Sequence, residues 1–235
     1  MIVQSMTHAE VYRELEADMA NVGVWWLSKR KMQMKIAKWT TKLPRTSWFE
    51  YTSARNNRYM VYNVILGHDY NNDSLTGVIA LRKEAKGYTV YVSRLPWQTR
   101  TQPQVFLPHV FDQYANPKRC NVNKTGIELI KHFMERNNHG EISHDDKFFG
   151  RSVRYKGRDN AAKSISDGVL LGEFVDDIFV AHTLITYDMA EGLQREEFEE
   201  KRKCIIDNSE FTDRVRRENR EEELQMRAEL RRVNS

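Results

Sequence analysis

The stretch GVLLGEFVDDIFVAHTLITY, residues 168–187, decides the class of fold. Two runs rich in β-branched and aromatic residues, Gly168 to Phe174 and Ile178 to Tyr187, flank Asp176 and Asp177. Asp tolerates the backbone angles of a tight turn, so the pattern predicts a β-hairpin. The second run is apolar at successive positions, which predicts a central strand covered on both faces. Thr76 to Arg82 and Tyr88 to Ser93 read as another hairpin, joined by Lys83–Gly87. Gly87 can supply an unusual backbone angle there. Tyr59 to Leu66 has the same two-faced apolar texture and is a third strand signal. The cluster Asn71–Ser74 predicts a loop. Pro96, Pro103 and Pro108 place Leu95 to Leu107 in loop and edge strand.

Helices frame these strands. Thr7 followed by Glu10 is a capping-box pattern, and Val11, Leu15, Met19 and Val22 follow at helical spacing. Gly23 marks an end or a bend. A second helical run from Val24 to Thr40 carries Trp25, Trp26, Leu27, Met32, Met34, Ile36 and Trp39, and Pro44 closes it. His109 to Tyr114 is a short helix opened by Pro108. Thr125 to Asn137 is a better one, with Ile127, Ile130, Phe133 and Met134 on one face. Arg151 to Asp167 is polar and reads as exposed loop with a short strand near Val153. From Arg195 to Arg232 basic and acidic residues nearly balance, apolar residues are sparse and no heptad is sustained. That pattern predicts a charged, solvated helix.

The expected fold is therefore α+β. An antiparallel sheet from two hairpins and neighbouring strands is covered by helices on one side, with an N-terminal helical pair and a charged C-terminal helix. The chain divides into a basic N-terminal helical segment (1–46), an α+β core (47–190) and a charged helical tail (191–235). The 235 residues are 40% hydrophobic and 30% charged, which suits one folded domain. No apolar run is long enough for a membrane helix, the N-terminus has no secretory pattern, and the mean hydropathy is negative. Cys120 and Cys204 form no CxxC pair, so a reducing, cytoplasmic setting is expected, with no membrane partner.

The net charge is only +4, but its distribution is uneven. No acidic residue lies between Asp18 and Glu50, whereas Lys29, Arg30, Lys31, Lys35, Lys38, Lys42 and Arg45 do. Such cations neutralise phosphates, and interleaved Trp25, Trp26 and Trp39 can stack on unpaired bases. A helix that packs its Trp and Met on the sheet and leaves its lysines in water fits the same residues.

The chain has no GxGxxG, Walker A, HExxH, GxSxG or EF-hand motif, and no cofactor is implied. His132, His139 and His144, with Asp145 and Asp146, match no zinc spacing, so no metal site is expected. His182, in phase with Val180 and Leu184, reads as a hydrogen-bonded sheet histidine. His109 is the candidate general base, with Tyr114 and Arg136 as its candidate catalytic partners. Equally, His109 can cap or pack locally.

The segments PHVFDQY, TGIELIKHFMERN and DGVLLGEFVDDIFVAHTLITYDM follow one another between Pro108 and Met189. This order resembles the small RelE-like and BrnT-like toxin folds of bacterial toxin–antitoxin systems. In those a histidine-bearing helix precedes an antiparallel sheet. The resemblance implies RNA cleavage, with Gln113 standing where such folds place a basic residue.

Two functional readings follow. One is a nucleic-acid-associated protein, RNA before DNA, acting as a toxin-like, metal-independent ribonuclease if it is an enzyme. The other is a non-enzymatic interaction or assembly protein of a phage or mobile element, docking a protein partner through residues 195–235. The oligomeric state is not legible from the sequence.

Overall fold

The structure is a computed structural model that describes residues 1–70, 74–98, 102–137, 142–144 and 160–189, together with 200 and 203. The charged tail therefore lies almost wholly outside the described residues, as do residues 151–159. The chain runs α1 (His8–Ser28), α2 (Arg30–Trp39), β1 (Arg45–Thr52), β2 (Arg58–Ile65), β3 (Ser74–Glu84), β4 (Gly87–Ser93) and β5 (Gln104–Phe106). It continues through α3 (Pro108–Ala115), α4 (Gly126–Asn137), β6 (Ile142–His144), β7 (Asn160–Ile165), β8 (Gly168–Val175) and β9 (Ile178–Ile185) to a 3₁₀ turn at Tyr187–Met189.

Among the described residues nine strands form one sheet in the order β1-β2-β3-β4-β5-β9-β8-β7-β6. The fold is α+β, with antiparallel pairing everywhere except between β5 and β9. Both expected hairpins are present. At the β8–β9 turn Asp176 and Asp177 have φ of 50° and 62°, the primed geometry that matches strand twist. Gly87 has φ 96° and sits beside the two-residue β3–β4 turn, tighter than the loop expected from sequence.

The sheet is covered on both faces, not on one. The reason is visible in the alternation. Tyr59, Val61, Val78, Ala80, Tyr91, Val105, Ile178 and Val180 pack with Val11, Leu15, Met19, Val22 and Trp26 of α1. Their neighbours Met60, Tyr62, Ile79, Val90, Phe106, Phe179 and Ala181 pack with Val110, Phe111 and Tyr114 of α3 and Leu129, Ile130, Phe133 and Met134 of α4. Period-two strands that are apolar at every position need a helix on each side.

Three local readings are corrected. Gly23 does not end α1: it is buried mid-helix, where an added Cβ would lie 3.0 Å from Trp97. Its role is close packing, and the helix breaks instead at Lys29. β5 is an interior strand, not an edge, because its prolines flank it and leave Gln104–Phe106 free to pair on both sides. Residues 160–165, whose polar sequence predicts exposed loop, form the buried strand β7.

One buried cation stands out in β7. Lys163 is 3% exposed, and its Nζ donates to Gln104 Oε1 at 2.8 Å. Burial pulls its amine down to about 8. A lysine whose folded value lies below its unfolded one destabilises the fold at low pH, and the penalty fades as pH rises through both values. Lys163→Met should therefore raise stability by roughly 2 kcal/mol at pH 7, allowing for the bond that Gln104 loses. Urea unfolding of both proteins from pH 7 to 10 should show the gap closing as pH rises; a constant gap would contradict it.

Candidate functional site

Two regions carry the polar residues singled out by sequence, and the fold places them on opposite faces of the sheet. The first is α2. Gln33 and Ala37 form its buried side, and Gln33 Oε1 accepts from Asn63 Nδ2 at 3.3 Å. Asn63 is in phase with Tyr59 and Val61, so α2 lies on the α1 face. At about 100° per residue, Lys31, Lys35 and Lys38 then fall together on the outward side. All three are exposed, as are Lys42 and Arg45 beyond the helix. Met32 is 40% exposed and Trp39 75%, on one flank of that stripe. Among the described residues none of these lysines has a carboxylate partner. Lys38 Nζ lies 5.6 Å from the Trp39 ring centroid. Lys29 sits over Trp25, whose ring packs against Tyr51, and Trp26 is buried against Phe49. Both packing and charge thus claim this region: Trp25 and Trp26 go to the core, and Trp39 stays in water.

The second region centres on Asp167, at the turn between β7 and β8. Arg136 grips it with two nitrogens, Nε at 2.8 Å and Nη2 at 2.5 Å. Asn137 Nδ2 and Tyr114 OH donate to Oδ2 at 3.0 and 2.8 Å, and Asn137 Oδ1 accepts from the Asp167 backbone N–H. Burial opposes the Asp167 charge, but donation from Arg136, Tyr114 and Asn137 outweighs it and holds the carboxyl below its ordinary value. Tyr114 is shifted upward, by burial and then by Asp167. Tyr114 OH also lies 3.0 Å from His132 Nδ1. Burial, with Lys124 and Arg136 nearby, lowers His132. A cavity of about 340 Å³ opens beside these groups, also lined by Arg119, Cys120 and Asp188. Cys120 is pushed up to about 11 by burial and by Asp167, so its thiol stays protonated and is no nucleophile at neutral pH.

The proposed trio is thus split. Tyr114 and Arg136 meet at Asp167, whereas His109 is exposed and bonds Gln113 one turn on, at 3.1 Å. Five residues turn a helix by about 140° beyond a full circle, so His109 and Tyr114 face different ways. The histidine at the site is His132, which shares a face of α4 with Arg136 at a spacing of four. That spacing was the available signal, together with the Asp-Gly pair closing the β7–β8 turn. His182 bonds Glu173 at 2.9 Å across β8 and β9, as a sheet-face histidine. His139, Asp145 and Asp146 lie outside the described residues. Comparison of the chain with protein-family models, curated proteins and solved structures gave no match. Among the described residues no helix is long and apolar enough to cross a membrane.

Asp167→Asn keeps the shape but removes the charge that three side chains address. It should cost about 2 kcal/mol, since charge-assisted hydrogen bonds are lost while half-exposed Arg136 can return to water. The wild-type advantage should be complete above the ordinary Asp value near pH 4 and vanish as pH falls through the lower folded value. Denaturant midpoints of both proteins between pH 7 and 2 measure it; an undiminished gap at pH 2 would contradict the assignment.

Proposed function

We propose that the protein is a nucleic-acid-binding protein that grips single-stranded segments, RNA before DNA, along the outward side of α2. The observation that carries this reading is the stripe of Lys31, Lys35 and Lys38, free of carboxylate partners among the described residues and edged by exposed Met32 and Trp39. Lysines spaced along a ridge follow a phosphate backbone, and Trp39 offers a face to an unpaired base. Lys42 and Arg45 prolong the track. Lys29, beside Trp25, and Arg30 flank its start. The ridge is open, and the Asp167 cavity lies on the opposite face of the sheet. Binding therefore does not depend on cleavage, and the ribonuclease reading loses the closeness of base and cations that it requires.

Oligonucleotide binding should weaken steeply with salt. With about −0.7 in log–log slope per phosphate, five contacts give a slope near −3.5 and roughly a 100-fold loss between about 50 and 200 mM salt. Replacing Lys31, Lys35 and Lys38 together by Glu should abolish binding while leaving the thermal transition in place, because the three side chains are exposed. Trp39→Ala should cost about 1–3 kcal/mol on single strands and little on duplex. Fluorescence anisotropy with single-stranded and duplex RNA measures all of these. Salt-insensitive binding, or binding to anionic vesicles in place of oligonucleotides, would overturn the reading.

A further inference from the structure

We infer that the cavity beside Asp167 is a binding site for a small uncharged ligand with adjacent N–H and C=O groups, the edge of a nucleobase, read by His132. The inference starts from counting protons. Tyr114 has one hydroxyl proton and, besides the donor Arg136, two partners that could accept it, Asp167 Oδ2 at 2.8 Å and His132 Nδ1 at 3.0 Å. An ionised carboxylate only accepts, so the tyrosine proton goes to Asp167. Tyr114 oxygen then accepts, and His132 must carry its proton on Nδ1. A neutral imidazole with Nδ1–H has a bare lone pair on Nε2. Among the described residues that nitrogen has no protein partner, and His132 lines the cavity. The chain Asp167, Tyr114, His132 thus fixes His132 as an acceptor toward a ligand.

Donors stand beside it. Arg136 gives Nε and Nη2 to Asp167 and its guanidinium also reaches the Tyr114 hydroxyl, while it lines the cavity. Arg119 gives Nη1 to the Leu184 carbonyl and also lines the cavity. Charge decides the ligand class. Arg119 and Arg136 are matched by Asp167 and Asp188, so the lining is neutral overall and offers a phosphate dianion no surplus of cations. An acceptor next to guanidinium donors suits N–H beside C=O, and Val122 and Tyr187 are among the residues that line the rest of the cavity. The volume lies at the lower end of the range of about 300–1,000 Å³ usual for ligand pockets. This site is independent of α2, so free nucleosides are the probe and not oligonucleotides.

The test is nitrogen-detected NMR of the histidine rings, with uridine, guanosine, cytidine and inorganic phosphate titrated in turn. The expected result is the Nδ1–H tautomer for His132 in the free protein, and a shift of its Nε2 resonance with at least one nucleoside. Tyr114→Phe, which removes the proton chain but keeps the ring, should release the tautomer and weaken that nucleoside at least tenfold. His132→Gln, which can place an amide oxygen near the Nε2 position, should retain more affinity than His132→Ala. A protonated Nε2 in the free wild type, no response to any nucleoside, or a response to phosphate alone would each overturn the proposal. Oligonucleotide binding by the same variants should be unchanged, which separates failure here from failure of the α2 reading.

Discussion

Three residues hold the two halves of this molecule together. β1 to β4 form one antiparallel meander and β6 to β9 another, each stabilised by contacts between neighbours in sequence. β5 belongs to both. Gln104–Phe106 pairs antiparallel with β4 and parallel with β9, and the bonding is extended by Phe179 N–H to the Pro103 carbonyl and Leu107 N–H to the Ala181 carbonyl. Two edges that would otherwise present unpaired amides to water are closed by this short splice. Val105 and Phe106 point to opposite faces and seat one side chain in each core. Each core runs across this strand, and α1 on one face and α3 on the other bridge the same junction.

The splice also places the chemistry. α3 begins two residues after β5, with Pro108 in its first turn. Its position over the sheet is therefore fixed by the strand before it. Val110, Phe111 and Tyr114 face inward, and Tyr114 stacks edge-on against Phe133 of α4 at 5.1 Å. That contact sets the distance between the tyrosine hydroxyl and the side chains at the end of α4. Asp167 arrives from the far side, carried by the β7–β8 turn. A carboxylate there receives donors from α3 and from two successive residues of α4. A tie made of one partly buried charge and four directional bonds specifies geometry more sharply than apolar packing does.

What could be read from sequence follows from the range of the interactions involved. The hairpins were legible because their causes are local: alternation or its absence, Asp176 and Asp177 at one turn, Gly87 beside the other. The capping box of α1 was legible for the same reason and is present in full. β7 was not, because Lys163 and Asn160 are polar residues whose burial depends on partners far along the chain. Covering on both faces was implicit in the two-faced apolar runs, but their helices had to be counted against both sides at once. Tyr114 and Arg136 were singled out as partners of His109; the structure brings those two together without it, and their meeting point, Asp167, sits in a stretch read as loop. His109 drew attention because it opens a short helix after Pro108. Only the three-dimensional phase of α3 and α4 gives that place to His132.

The two polar regions differ in the medium around their charges, and that difference determines what each can do. On α2 the lysines are in water, unpaired by described carboxylates, and screened beyond about 10 Å at ordinary salt. Such charges attract a polyanion, and they discriminate little among sequences. At Asp167 the charge is largely withdrawn from water and matched, so it adds little long-range field. Instead it orders protons: the carboxylate fixes the tyrosine hydroxyl, which fixes the imidazole. Directional order of that kind distinguishes one small molecule from another by the pattern of donors and acceptors it presents. A cationic ridge on one face and a charge-balanced pocket on the other are therefore not two halves of one active centre. Under the two proposals each face of the sheet has its own kind of recognition, the first set by net charge and the second by where a single proton resides.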